Sequence, residues 1–425
     1  MSKKKKFLLI PNTSFHYDLN QLNEIKKQLL NFGHSARVLE NRVSDYELIN
    51  ITTQEFFDCI FRVNFGRPEK LNKNIRFISW FQDFYHNSNE ELYYYQKDDI
   101  VYFYASPKSF GVKKKLECFS SQFYPGISNN FVTEDLTSID SKKNIKAYQH
   151  IDFSICGYIP SVYMTNFNTF YFRNYPLEEN HSQDDIFRGF FRNFADKREK
   201  IKPIEDYKKF VIDLQTITEL NYQPLSGKLN VEKISNLVKK KISENFEFVN
   251  AQIFNEWIRF FSTEYPRFLD RIKLARLISK NSFNIALIGE GWSSFDEFEN
   301  FSVKKIDDYK KLYEFYRKSK VNLYNNTHGL GMHSKVLEIM INGGFVAFPI
   351  SHKNGDFGSI EESFEENIHF STFDPSNFED FNDKWLDDYH NRLTIGKNAL
   401  REVISNHSWK KRVKKILSDL NFNNK

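Results

Sequence analysis

Apolar runs and amphipathic stretches alternate twice along this chain, and that alternation constrains its fold more than any other feature. "KFLLIPN" (6–12) reads as a buried strand. "DLNQLNEIKKQLLNFG" (18–33) places Leu19, Leu22, Ile25, Leu29 and Leu30 at helical spacing, with Gly33 as a C-cap, and "HSARVLE" returns as a strand. A strand–helix–strand opening of this kind predicts a parallel sheet with right-handed crossovers. The runs "CIFRVNF" (59–65), "IRFISWF" (75–81), "DIVYFYAS" (99–106) and "IDFSICGYI" (151–159) extend it to a Rossmann-like domain over residues 1–160.

The texture changes over 161–265, where "EDYKKFVIDLQTITEL" and "VEKISNLVKKKISENFEFVNAQIFNEWIRFF" read as helices of an insertion or linker. The alternation resumes over 266–425: helix "PRFLDRIKLARLISKN", strand "FNIALIGEGW", helix "DDYKKLYEFYRKSK", strand "VNLYNN", helix "MHSKVLEIMINGG" and strand "FVAFP". Two further helical stretches finish the chain, the last expected to turn back towards the first domain. With 425 residues the chain exceeds one ordinary core. The predicted fold class is therefore α/β, with two Rossmann-like doubly wound domains facing a cleft and a helical insertion between them. Such folds bind ligands outside the carboxyl ends of their strands.

Charge and cysteine content narrow the function. A net charge of +5 over 425 residues, without one concentrated basic face, argues against a nucleic-acid partner. Local clusters at 3–6, 113–115, 239–241 and 409–415 read as solvated surface, or as a peripheral contact with anionic lipid. Three scattered cysteines, Cys59, Cys118 and Cys156, form neither a disulfide framework nor a CxxC metal site, which fits a cytoplasmic protein. No apolar run approaches the roughly 20 residues of a membrane span.

One stretch concentrates chemistry. "GLGMHSKVLEIMINGGFVAFP" (329–349) packs four glycines, a histidine, a lysine and a glutamate into a loop, helix and strand. Gly329 and Gly331 lead into a helix whose start would offer free amides and a positive dipole end to a phosphate. His333, Ser334 and Lys335 stand at that start, where basic residues oppose the dipole, so a bound diphosphate would justify them. Glu338, one turn on, would accept hydrogen bonds from ribose hydroxyls. Asn325, closing the preceding strand, joins this donor-side set. In the first half, "SWFQDFYH" (79–86) delivers Asp83 to a strand end as a candidate general base, with His86 beside it; His16 is a weaker cleft-facing candidate. No metal is expected, because no DxD pair stands at a strand end and no zinc spacing, P-loop or GxSxG elbow occurs.

These stretches together resemble the donor-binding half of GT-B glycosyltransferases, in the spore-maturation-type, family-1-like group. "IALIGEGW", "YRKSKVNLYNNTHGLGMHSKVLEIMINGGFVAF" and "NHSWKKRVKKIL" carry the resemblance in the second half, and "ISWFQDF" and "FYPGISNN" in the first. The resemblance implies that Glu338 binds the ribose, that Lys335 holds the donor phosphates, and that Gly289 and Gly291 let backbone approach the donor. It implies transfer from a nucleotide-sugar to a hydroxyl of a glycan, lipid-linked or protein acceptor, with no cofactor. One departure stands out: many retaining relatives carry a second glutamate eight positions before the ribose-binding one, and here that position is Leu330. A nucleotide-sugar epimerase and a non-catalytic nucleotide- or glycan-binding partner are the alternative readings.

Overall fold

The structure is a computed structural model. It describes residues 4–13, 16–82, 94–104, 107, 112, 116–128, 149–159, 204–245, 258–280, 283–303, 306, 308–356 and 358–422. Two six-stranded parallel sheets form, in line with the predicted fold class.

The first sheet comprises β1 (Lys6–Ile10), β2 (Ser35–Val38), β3 (Cys59–Val63), β4 (Arg76–Phe81), β5 (Ile100–Phe103) and β6 (Phe119–Gln122), in the order β2-β1-β3-β4-β5-β6. Strand side chains alternate between faces. Phe7 and Leu9 therefore pack with Leu22, Ile25 and Leu29 of α1 (His16–Asn31). Leu8 and Ile10 face the other way, towards Leu48 of α2 (Asp45–Gln54). Both faces are covered, which is why these strands read as unbroken apolar runs. Ser44 and Glu47 close a capping box that starts α2.

The second sheet contains β7 (Ile151–Cys156), β8 (Ile285–Ile288), β9 (Ser302–Val303), β10 (Ser319–Leu323), β11 (Val346–Pro349) and β12 (Ser371–Phe373). Its order is β12-β11-β10-β7-β8-β9. The run at 151–159, expected to end the first domain, instead supplies the central strand of the second, paired with β10 on one side and β8 on the other. Its buried Ile151, Phe153 and Ile155 suit any buried strand, so its composition does not reveal its sheet.

Two helices of the insertion, α3 (Ile204–Asn221) and α4 (Val231–Asn245), lie between β7 and α5 (Tyr265–Ser279) in the chain. The expected helix over 231–261 is described as α4 followed, from Phe260 to Glu264, by a π-helical turn that runs into α5. The second domain continues through α6 (Tyr309–Lys318), α7 (Ser334–Ile341), α8 (Phe378–Trp385) and α9 (Tyr389–Asn406).

The last helix, α10 (Trp409–Phe422), crosses to the first domain. Trp409, Val413, Ile416 and Leu420 are buried with Phe7, Leu9 and Trp80. Trp80 meets Trp409 edge to face at 6.2 Å and donates from Nε1 to the Phe123 carbonyl at 2.9 Å. A Cβ on Gly126 would stand 2.7 Å from the Trp409 ring, so only glycine allows this crossing to seat. No described helix is long and apolar enough to cross a membrane.

Candidate functional site at the switch point of the second sheet

The strand order of the second sheet reverses between β7 and β10, and the carboxyl ends of these strands diverge there. Ligands of doubly wound folds bind at such a point. Arg271 of α5 spans it. Its Nε donates to Asn325 Oδ1 at 3.2 Å, just beyond β10, and its Nη1 donates to the Tyr158 carbonyl, just beyond β7. Gly157 makes room for it: a Cβ there would stand 2.6 Å from the guanidinium carbon. Burial and the neighbouring Arg267 lower the Arg271 pKa to about 10, so it stays cationic at neutral pH.

The Asn325 side chain is fully committed to this scaffold. Its amide nitrogen donates to the Arg267 carbonyl and to Thr327 Oγ1, both at 3.1 Å. Thr327 in turn donates to Asp270 at 3.0 Å, and Asp270 also accepts from Tyr222 at 2.7 Å and from the Leu225 amide at 2.5 Å. Leu225 and Ser226 both hold left-handed backbone, at φ 53° and 63°. The Ser226 carbonyl accepts from the His352 amide at 3.0 Å and from His352 Nδ1 at 2.8 Å. The turn between α3 and α4 is thereby bolted to the loops that follow β10 and β11.

The start of α7 differs from expectation. His333 is the N-cap: its Nδ1 accepts from the Lys335 amide at 3.1 Å, and its carbonyl accepts from the Val336 and Leu337 amides. Gly331 N–H is likewise taken, by Asn326 Oδ1 at 2.8 Å. Of the amides expected to be free here, those of Gly331, Lys335, Val336 and Leu337 are thus taken within the loop and helix. His333 is also not a cation. Burial, then Arg267, Lys335 and Arg271, lower its pKa to about 3. Its Nδ1 accepts an amide proton, so the neutral ring carries its own proton on Nε2, a donor. The ring stacks on Tyr324 at 5.4 Å. His328, in the same loop, is held near 4 by burial, with Arg267 and Lys353 adding to the shift and Glu264 opposing it.

Lys335 is cationic and partnered. Its Nζ lies 3.0 Å from Glu338 Oε2, one turn along α7. Burial opposes the charge, but Glu338 outweighs it and the ammonium pKa rises. The pair meets the first domain through Tyr17, whose hydroxyl hydrogen-bonds the Ser334 side chain. Tyr17 keeps 46% of its surface exposed. Two more tyrosines bridge the domains: Tyr104 donates to the Met332 carbonyl, and Tyr124 donates to that of Gly358 at 2.7 Å. Leu330 is 7% exposed and joins the first-domain cluster that includes Phe81 and Phe103.

Gly289 and Gly291 adopt φ of 139° and 88°. A Cβ on them would stand 2.6 Å from the Gly157 carbonyl oxygen and 1.6 Å from that of Ile159. Close packing of two carboxyl-end loops therefore requires both glycines, whatever ligand lies beyond. Asp83 and His86 lie outside the described residues. Just beyond β3, Asn64 holds a left-handed φ of 59°, and its Oδ1 accepts from the Gln82 amide at 2.7 Å, tying the ends of β3 and β4 together. Among the described residues no three His, Cys, Asp or Glu side chains gather as a metal site.

The structure thus brings Ser334, Lys335, Glu338 and His333 together and sets Asn325 behind them. Sequence reasoning missed Tyr17, Arg267, Arg271 and His328. The available signal was Arg267 and Arg271 four residues apart on one helix, which places both on one face.

Residues 266–418 match the model of the family described as glycosyl transferase-like. HepE from Anabaena, crystallised with UDP-glucose, shares the fold over 98% of this chain and 100% of its own, with a TM-score of 0.51 at 10% identity. A glycosyltransferase from Rickettsia africae does so over 100% and 99%, with a TM-score of 0.50 at 11% identity. No curated protein matches the chain. The second half of the chain is thus glycosyl transferase-like, set in the two-sheet fold that these structures share.

Proposed function

We propose that the α7 start and the Arg271 scaffold hold the diphosphate of a nucleotide-sugar, and that the first domain presents an acceptor hydroxyl. The observation that carries this reading is that the Arg271 and Lys335 charges both act on the His333 ring beside the switch point, where Arg271 is anchored to Asn325 and Lys335 to Glu338. An anionic leaving group needs positive charge and donors already in place. Lys335 and Ser334 would touch the phosphates, and the Glu338 carboxylate would take ribose hydroxyls. Gly289 and Gly291 would line the donor side, and Gly331 would shape the loop that Asn325 supports. Two cations and a neutral donor would supply the charge compensation without a metal or other cofactor.

Asp83 comes two positions after β4 in the sequence, and Asn64 fixes the carboxyl end of that strand. Asp83 would take the proton of the acceptor hydroxyl as that oxygen bonds to the anomeric carbon and the nucleoside diphosphate departs. His86 would assist. The acceptor would be a glycan, a lipid-linked saccharide or a protein, in the synthesis of a surface polysaccharide or glycoconjugate. A cytoplasmic enzyme of this kind would meet a membrane peripherally, and Lys240, whose side chain is 74% exposed beside Lys239 and Lys241, offers one contact for anionic lipid.

The test is calorimetric titration of UDP and GDP, with UDP-glucose as the first sugar-bearing probe. Arg271→Lys and Lys335→Ala should each weaken the bound nucleotide by tenfold or more, and Glu338→Ala should weaken nucleoside diphosphate but not pyrophosphate. Unchanged affinity in all three folded variants would overturn the reading.

A further inference from the structure

A second cavity, of about 190 Å³, opens in the first domain between the start of α2 and the segment that follows β3. Asp45, Arg62, Phe65, Arg67, Glu69 and Tyr94 line it. None of these residues belongs to the donor site.

Its floor is built. Arg62 is 2% exposed, a burial that a guanidinium accepts only with partners. It donates to Asp45 Oδ1 at 2.7 Å and to the Val43 carbonyl at 2.8 Å, while its buried Nε has no hydrogen-bond partner among the described residues. The guanidinium carbon lies 4.6 Å from the Phe65 ring centre, and that of Arg42 lies 4.1 Å from the same ring. The rim is polar and aromatic: Asp45 keeps 63% of its side chain exposed, Tyr94 is 43% exposed, and Glu69 is exposed.

The charges decide the ligand class. Arg62 is answered by Asp45, and Arg67 by Asp99 at 3.1 Å. Glu69 and Arg42 add one charge of each sign, so the cavity is close to neutral and offers a phosphate or a uronate no net attraction. What remains for a ligand is the exposed Tyr94 ring and the Asp45 and Glu69 carboxylate acceptors. A pyranose, with an apolar face and a rim of hydroxyls, matches both.

We propose that this cavity is a saccharide subsite that takes one neutral sugar unit of a glycan acceptor. Only the source of that sugar rests on the transferase reading; the recognition chemistry does not. Saturation-transfer NMR on the full chain tests it, with methyl glucoside, methyl galactoside and N-acetylglucosamine as neutral probes and methyl glucuronide as the anionic one. At least one neutral probe should bind with a millimolar Kd. Tyr94→Ala and Glu69→Gln, both at exposed positions, should each weaken it at least fivefold, and the glucuronide should bind at least fivefold more weakly than that probe. Lys335→Ala and saturating UDP should leave the probe's binding unchanged. Absence of neutral-probe binding, binding that survives both pocket variants, or preference for the glucuronide would each overturn the proposal. Loss of the donor reading alone would show as sugar binding without UDP binding.

Discussion

The Tyr17 hydroxyl of the first domain hydrogen-bonds the Ser334 side chain of the second, beside the Lys335–Glu338 ion pair. A cleft that must exclude water during transfer has to close, and this bond fastens it where the donor phosphates are proposed to lie. Burial of the hydroxyl, with Glu338 and Asp18 adding, raises the Tyr17 pKa above its ordinary value, so it remains a neutral donor at working pH.

Tyr17→Phe keeps the ring and removes this bond. One partly exposed hydrogen bond contributes about 0.5–1.5 kcal/mol, so the donor KM should rise about two- to tenfold with melting temperature nearly unchanged. Steady-state kinetics with a turned-over nucleotide-sugar would check it. An unaltered donor KM would show that the contact does not couple closure to binding.

Leu330 stands where many retaining relatives carry a glutamate, yet it is buried with first-domain apolar residues. Leu330→Glu should therefore cost about 2–4 kcal/mol, because the carboxylate enters an apolar contact without a partner. Urea unfolding would measure the loss. A variant as stable as the parent, or one with raised activity, would contradict this placement.

Acid should destabilise the fold through buried imidazoles. His407 is 4% exposed, stacks on Phe364 at 4.7 Å, and its Nδ1 lies 2.8 Å from Arg412 Nη2. Burial first, and Arg412 second, lower its pKa to about 3. A folded-state pKa below the unfolded value means that the unfolded chain binds the proton more tightly. The stabilisation is whole above about pH 6.5 and is lost as pH falls towards 3. His333 and His328 act in the same direction. Each contributes a slope of roughly 1.4 kcal/mol per pH unit within that window. Melting curves from pH 7 to 4.5 should fall steadily, and His407→Gln should flatten the fall without changing UDP binding. An equally steep fall in His407→Gln would exclude this residue as a source.

Much of the fold was legible because buried parallel strands leave unbroken apolar runs, as in "KFLLI" and "FVAFP". The strands β6, β9 and β12 escaped notice because each is four residues or fewer and partly polar, as in "FSSQ". Sheet membership is a pairing property, so "IDFSIC" could not disclose that its neighbours are β8 and β10. In the site, Lys335 and Glu338 stood out because charge clustered beside glycine. The His333 cap was hidden, because a ring accepting the Lys335 amide is a matter of rotamer rather than spacing. Nothing in its own helix marks Arg271 as buried. Its burial follows from Gly157 and Asn325, more than 50 residues away on either side in the chain.

The most direct measurement is a crystal structure of the chain soaked with UDP. The account predicts the diphosphate within hydrogen-bond distance of Lys335 and Ser334, with ribose hydroxyls on Glu338. Nucleotide bound elsewhere, with the Lys335–Glu338 pair untouched, would contradict it.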